Sequence, residues 1–443
     1  MNDTKINNIL LRKNIESLQL EKLAIQAGFY RRKPQKITAQ SLLLSFFSMA
    51  LQEKYSFNYW AIQLSILVKS KLSKQAVWKR CNEQQVKFLA LVLKQIIGLN
   101  SFDFLKKLQA NTVHLLKPFS HVYIQDSTCL SLPDRLSSSF PGHFCQGKIR
   151  AMAKIQTTFD LKTNQFAQFE LGAYCKNDQK CSPDILSLIK PGDLIIRDLG
   201  YFATSVFEKI KKEKAYFLSK LRLDTYIYDL KENKINLLHL LKGKKYQDLE
   251  ILMSLRKVPM RLVAIKVPDG VAEERRRKAK NSRDKRLKYG KTHLKMLGYN
   301  YYVTNVEKDK LSAHEIALVY GMRWNIEIFF KCWKSNFNLA SGLKHTTWTH
   351  QGVKCYIYCM LIFIALTHTH LYHYYWWKFY KNKGIHLSLL KFTAFLANNL
   401  LLIVNLNNEN KDFIEDLIAY SCKYETRNDR YNCSQKLIQL ELG

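Results

Sequence analysis

Residues 320–334 read YGMRWNIEIFFKCWK, and the spacing inside this stretch organises the reading of the whole chain. At about 100° per residue on an α-helix, Tyr320, Arg323, Glu327 and Lys334 project within about 60° of one another. Val319, Met322, Ile326, Phe329, Phe330, Trp333 and Phe337 form a separate apolar arc, as a helix packed on a core requires. The expectation is one amphipathic helix that holds a carboxylate rigidly among a phenol and two cations. Such a grouping suits a metal ion beside a phosphate, with Glu327 as ligand and Tyr320, Arg323 and Lys334 gripping a phosphate backbone.

Upstream, the pattern is one of strands. Residues 122–130 (VYIQDSTCL), 153–161 (AKIQTTFDL) and 165–174 (QFAQFELGAY) are β-rich, the last two separated by a turn at Thr163 and Asn164. Residues 182–190 (SPDILSLIK) begin like a capped helix, and 193–202 (DLIIRDLGYF) read as a buried strand ending in a glycine turn. Asp126 falls in the C-terminal part of the first strand and Asp198 at the end of the fourth. If those strands are neighbours, both carboxylates lie at one rim, where the reacting groups of α/β sheets usually sit. A carboxylate buried in such a place without a counterion costs several kcal/mol, on the order of the penalty for an unpaired charge, so a partner is expected. Three acids from distant segments meet the needs of two-metal phosphodiester chemistry, in which carboxylates bridge and fix ions about 3.5–4 Å apart. Mg²⁺ takes oxygen ligands, so histidine or cysteine is not required.

Composition narrows the partners. The 443 residues carry 70 Lys plus Arg against 36 Asp plus Glu, a net charge of +34, with 47% hydrophobic residues. The core is ample and the charge favours a polyanion, nucleic acid first, with steep salt dependence. The N-terminal residues have no continuous apolar run of a secretory kind, which points to the cytoplasm. The most apolar stretch, 356–366, is too short to span a bilayer and reads as a buried helix. Ten cysteines are scattered without a C-x-x-C pair and are expected to be small buried residues. His368, His370 and His373 do not share one helical face, so no metal site is expected there.

Residues 1–110 read as helical, with 18 basic against 6 acidic residues. Within them two helical patterns meet at residues 70–73, where Ser73 can cap the second. That second helix presents Lys74, Gln75, Lys79 and Arg80 outward, while Leu72, Ala76 and Val77 pack. A helix-turn-helix seats such a helix in the major groove, and an ordinary helical hairpin with a basic solvated face explains the same residues. Between Arg275 and Lys295 lie eleven basic residues against Asp284 alone, a basic arm that includes Arg275, Arg276 and Arg277.

Taken together, Asp126 on its strand, Asp198-Leu199-Gly200-Tyr201-Phe202, and the Tyr320, Arg323, Glu327, Lys334 motif resemble the DDE transposases of the bacterial insertion-sequence-four group, over roughly residues 50–366. The resemblance implies a mixed α/β chain. Its parts would be a helical DNA-binding region at 1–115, an RNase H-like core of five mixed strands with flanking helices at 116–222 and 303–372, a β-rich insertion with the basic arm at 223–302, and a helical C-terminal region at 373–443 suited to dimerisation. It implies Asp126, Asp198 and Glu327 as catalytic and metal-binding residues for two Mg²⁺ ions, with Mn²⁺ as a substitute. The partners implied are double-stranded DNA, both element ends and target, and a second copy of the chain, with no membrane and a bacterial, nucleoid-associated location. In well-understood relatives a hairpin forms at the element end and a flipped base stacks on an aromatic ring, for which Trp324, Trp333 and Tyr201 are the candidates here. The alternative is an inactive or recruited descendant, a DNA-binding protein or nuclease, whose acids satisfy internal lysines and arginines.

Overall fold

The computed structural model describes residues 18–30, 36–51, 55–98, 114–281, 290–344, 348–404 and 411–425. Among them ten strands form one mixed sheet: β1 (Val122–Ser131), β2 (Pro141–Cys145), β3 (Lys148–Asp160), β4 (Gln165–Ala173), β5 (Leu194–Arg197), β6 (Tyr216–Lys220), β7 (Ile227–Tyr228), β8 (Tyr246–Met253), β9 (Val258–Lys266) and β10 (Tyr299–Thr304). Their order is β2-β3-β1-β5-β6-β10-β9-β8-β7, with β4 on the other edge of β3. β1, β5 and β6 are parallel, β3 runs antiparallel to β1, and β4 runs antiparallel to β3. β5 is buried at every position, because a strand with parallel neighbours on both sides has no solvated face. Its one charged residue, Arg197, is satisfied by Gln125 Oε1 and by the hydroxyl and carbonyl of Ser182.

The register of these central strands positions the site. Gln125 pairs with Arg197 and Arg197 with Ser219, so the next residues, Asp126, Asp198 and Lys220, stand side by side at one rim. The expected turn between β3 and β4 is present, with Asn164 in the left-handed conformation at φ 52°.

Several local expectations are corrected. β2 was not foreseen; it is a short edge strand ending at the tight turn of Gln146 and Gly147. The capped helix expected at 182–190 starts earlier, as Asp178–Cys181 capped by the Asn177 side chain, and continues only as a 3-10 turn over Ser182–Ser187. In the 223–302 region β10 pairs with β6 and carries β9, β8 and β7 into the same sheet. The basic arm begins as a helix, Asp269–Lys280, because its Ala, Glu, Arg and Lys residues are strong helix formers, Ala272 is buried, and Glu274 pairs with Lys278 at 2.6 Å. Residues 282–289 of the arm lie outside the described residues.

The N-terminal helices Leu20–Gln26, Ala39–Leu51, Phe57–Val68, Lys74–Trp78 and Glu83–Gly98 share one core with helix His350–Leu366, through Trp60, Phe88, Tyr356 and Phe363 among others. Ser73 caps its helix as expected, accepting from Ala76 N, but that helix ends after five residues. Asn82 accepts from Gln85 N and starts a new helix, so the long second helix of the expected hairpin is two. Helix His350–Leu366 runs on through a π-helical turn, Thr367–Tyr372, into His373–Lys383. Its 34 residues are long and apolar enough to cross a membrane, yet 89% of the apolar window is buried inside the protein, as a core helix. Helices Leu389–Val404 and Lys411–Ser421 follow, while 405–410 and 426–443 of the expected C-terminal region lie outside the described residues.

Candidate active site

The stretch 320–334 is not one continuous helix. Tyr320 ends helix Ala313–Gly321, and Glu327 and Lys334 belong to helix Trp324–Ser335. Between them Met322 and Arg323 keep helical torsions, but the bonds are of i to i+3 type: Arg323 N to Tyr320 O at 3.1 Å and Ile326 N to Arg323 O at 3.2 Å. Gly321, a weak helix former, sits at the break. The tightening lowers Arg323 toward the sheet rim. Ile326, Phe329, Phe330 and Trp333 are buried and anchor the second helix, each contributing about 1.5–3 kcal/mol on full burial.

The three acids meet at the Arg323 guanidinium. Nη1 donates to Asp126 Oδ2 at 3.1 Å, Nη2 donates to Glu327 Oε1 at 2.6 Å, and Nε lies 3.8 Å from Asp198 Oδ1. The guanidinium is 13% exposed, against 19% for Asp126, 33% for Glu327 and 42% for Asp198, so the cluster is shielded beneath and open to solvent above. Ser127 N–H donates to Asp126 Oδ1 at 2.7 Å, and Asp198 accepts from Gly200 N at 3.3 Å.

The donor set has the chemistry for a hard divalent ion, being carboxylate oxygen throughout. Burial pushes the Asp126 carboxyl up to about 6, against the opposing pull of the Ser127 amide and of Arg323, and a nearby cation is what returns such a group to its charged form. Among the described residues no group of three or more His, Cys, Asp and Glu side chains forms a metal cage, these acids included. They are spread around the guanidinium instead.

Other expected site residues divide. Tyr320 is buried, and its ring lies 6.0 Å from the Arg323 guanidinium and 5.6 Å from Lys220 Nζ. Lys334 is exposed in the last turn of the Glu327 helix. Lys74, Gln75 and Lys79 are exposed on their short helix, whereas Arg80 is half-buried and turns back to bond Ala76 O at 2.7 Å. Arg275 and Arg276 are also partly committed to the fold: Arg275 bonds Asn300 Oδ1 and Leu297 O, and Arg276 bonds Leu294 O. Arg277 is exposed. Of the three candidate aromatics, Trp324 is 61% exposed while Trp333 and Tyr201 are buried. The histidines expected to lack a common face are all buried, His368 and His370 in the π-helical turn and His373 just after it, with the His368 and His373 ring centroids 4.6 Å apart.

One rim residue escaped the sequence reading. Lys220 ends β6 one residue beyond the Arg197–Ser219 pair, beside Asp198, and burial, with Arg275 and Arg323 nearby, holds its ammonium below the ordinary lysine value. Among the described residues it makes no ion pair. The signal was there: a lysine ending an apolar strand, AYFLSKL, is selected by the same rim argument that picked Asp198.

A strand rim with three acids and two adjacent cations has the chemistry to hold a polyanion beside a hard metal ion. Residues 117–367 match the family of the transposase DDE domain, more than half of the chain, and the chain therefore belongs to the DDE-domain transposases. It is similar to the transposase for insertion sequence element IS231B of Bacillus thuringiensis subsp. berliner, 28% identical over 375 residues, 78% of this chain and 76% of that one. It is similar to the IS231C transposase of the same organism at 26%, over 78% and 76% of the two chains. The transposase for IS1151 of Clostridium perfringens is 24% identical over 81% of this chain and 79% of its own. Among solved structures, a piggyBac transposase synaptic complex with hairpin DNA matches at 11% identity and a TM-score of 0.40, covering 99% of this chain and 89% of that one. The protein is an enzyme, a DNA transposase of the insertion-sequence kind.

Proposed function

We propose that this transposase cleaves and joins DNA at the terminal inverted repeats of its element by a cut-and-paste route, with Asp126, Asp198 and Glu327 as its catalytic, metal-holding acids. The observation that carries the reading is the meeting of these acids, 72 and 129 residues apart in sequence, at the single guanidinium of Arg323. Two Mg²⁺ ions, or Mn²⁺ in their place, held by these carboxylates supply activation of the attacking oxygen and stabilisation of the leaving one. The remaining work is done by the side chains. Asp126 and Asp198 are carried by neighbouring parallel strands and Glu327 by an anchored helix, so binding calls for the side chains to turn from Arg323 while the elements that carry them stay in place. Arg323 exchanges carboxylate partners for a phosphate, and Lys220, Lys334 and the Tyr320 hydroxyl join it in gripping the backbone.

The order β4-β3-β1-β5-β6, antiparallel and then parallel, supports an RNase H-like core. The exposure of Trp324 supports it as the ring on which a displaced base stacks. Exposed Lys74, Gln75, Lys79 and Arg277 extend the basic surface for double-stranded DNA, with two copies of the chain pairing two ends at the bacterial nucleoid, in the cytoplasm.

A specific observation favours a second reading: the acids are satisfied by an internal arginine, as in an inactive, DNA-binding descendant. One substitution separates the two. Asp198→Ala abolishes Mg²⁺-dependent strand cleavage and leaves DNA affinity intact if the acids are catalytic; equal cleavage by the variant rejects the role.

A further inference from the structure

A fourth acid stands under the same rim. Asp178 opens the short helix after β4, and its Oδ1 accepts from Ser127 Oγ at 2.8 Å, Lys154 Nζ at 3.1 Å and Gln156 Nε2 at 3.1 Å. In the β1–β3 ladder Ser127 lies opposite Gln156 and Cys129 opposite Lys154, so all three donors come from one face of one strand pair. Two of these bonds lead onward to acids of the site. Ser127 N–H donates to Asp126 Oδ1, and Gln156 Oε1 accepts from the hydroxyl of Tyr201, which closes the turn begun by Asp198. The second oxygen of Asp178 faces that turn directly: a Cβ at Gly200 would lie 3.3 Å from Asp178 Oδ2 and 3.8 Å from Asp198 Oδ2.

Charge explains why a further carboxylate is tolerated here. The Lys154 side chain is only 6% exposed and takes Asp178 as its ion-pair partner, so the pair is neutral and adds little repulsion to the cluster above. Its remaining effect is geometric, since one carboxylate ties β1 and β3 together through Oδ1 and sets Oδ2 against the Asp198 turn.

We propose that Asp178 is a positioning residue of the transposase reaction, which sets Asp126 and Asp198 at their working separation through Ser127 and through Gln156 and Tyr201. The inference rests on the catalytic reading of those two acids. Supporting side chains around metal ligands are typically worth about 10- to 100-fold in activity, which sets the expected scale.

The test uses the full chain with Mg²⁺ and a duplex copied from the DNA flanking its coding sequence. Asp178→Asn lowers kcat for strand cleavage about 10- to 100-fold with KM for the duplex within about twofold. Ser127→Ala loses part of the same factor, and the double variant is no slower than Asp178→Asn alone, because both act through one bond. Should Asp178→Asn unfold by stranding Lys154, the pair Lys154→Met with Asp178→Asn removes both charges and carries the same expectation. Cleavage at the unsubstituted rate, a change in KM alone, or losses that multiply as for independent sites each overturn the proposal. Asp198→Ala run in parallel keeps the two readings apart: if it still cleaves, the catalytic assignment fails, whereas its inactivity beside a fully active Asp178→Asn rejects the positioning role alone.

Discussion

Arg323 Nη1 donates to Asp126 Oδ2 at 3.1 Å, a bond that joins positions 197 residues apart and draws the Glu327 helix onto the rim of β1. With Glu327 at 2.6 Å on the other side, the guanidinium balances carboxylates that would otherwise repel.

Arg323→Ala is expected to make stability depend on divalent metal. Losing the partner of two part-buried carboxylates costs about 2 kcal/mol, below the figure for fully buried pairs because Glu327 is 33% exposed. Melting in EDTA falls by several degrees, and Mg²⁺ recovers most of it. A variant that melts identically with and without Mg²⁺ contradicts the picture of carboxylates awaiting a cation.

Lys220→Gln tests the rim lysine. An ammonium without an ion pair among the described residues has its charge free for a phosphate, so the substitution weakens DNA binding and reduces the slope of log affinity against log salt by about one. A filter-binding or anisotropy titration at several salt concentrations reads this. An unchanged slope places Lys220 away from the DNA.

The N-terminal basic residues separate by role. Lys74→Ala with Lys79→Ala is expected to weaken duplex binding at low salt while leaving the melting temperature within about a degree, since exposed side chains contribute little to stability. Arg80→Ala does the opposite, because its guanidinium reaches back to bond Ala76 O of the short helix that precedes it. Thermal melts and anisotropy on the two variants decide it, and stability loss confined to the Lys74 and Lys79 variant reverses the assignment.

Acid should loosen the helix that carries Glu327. His370 and His373 are driven down to about 4 and about 3 by burial, and His368, also lowered by burial, packs on Phe159, Phe166 and Phe329. Each group is neutral when folded, so its stability is fully present above the unfolded value near 6.5 and is lost as pH falls toward the folded value. At pH 5 the loss is roughly 2 kcal/mol each for His370 and His373. Melting temperature therefore drops between pH 7 and pH 5, and His373→Gln flattens that drop. A pH-independent melt across this range refutes the burial of neutral imidazoles.

Legibility in the sequence followed the range of the forces. Local patterns were readable: the alternation and apolar runs of β1, β3, β4, β5 and β6, the Ser73 cap, the Asn164 turn and the apolar arc of the Glu327 helix all depend on neighbours a few residues away. Breaks were harder. The i to i+3 turn at Met322 and Arg323 and the restart at Asn82 interrupt patterns whose hydrophobic period runs straight through them, because periodicity registers faces and not hydrogen bonds. Lys220 and Asp178 were missed because a single polar residue after an apolar run acquires meaning only from the strand or loop beside it.

By itself the sequence determined residue chemistry and local geometry: three acids in unusual apolar or basic settings, a strongly cationic surface, and the elements able to carry them. Tertiary structure alone decided that β1, β5 and β6 are adjacent and in register, and that Arg323 descends among the acids. It also decided that β7, β8 and β9 join the central sheet through β10. The physical reason is that strand pairing and charge neutralisation are settled between segments far apart in the chain, where each candidate partner is chemically equivalent until packing brings one of them within reach.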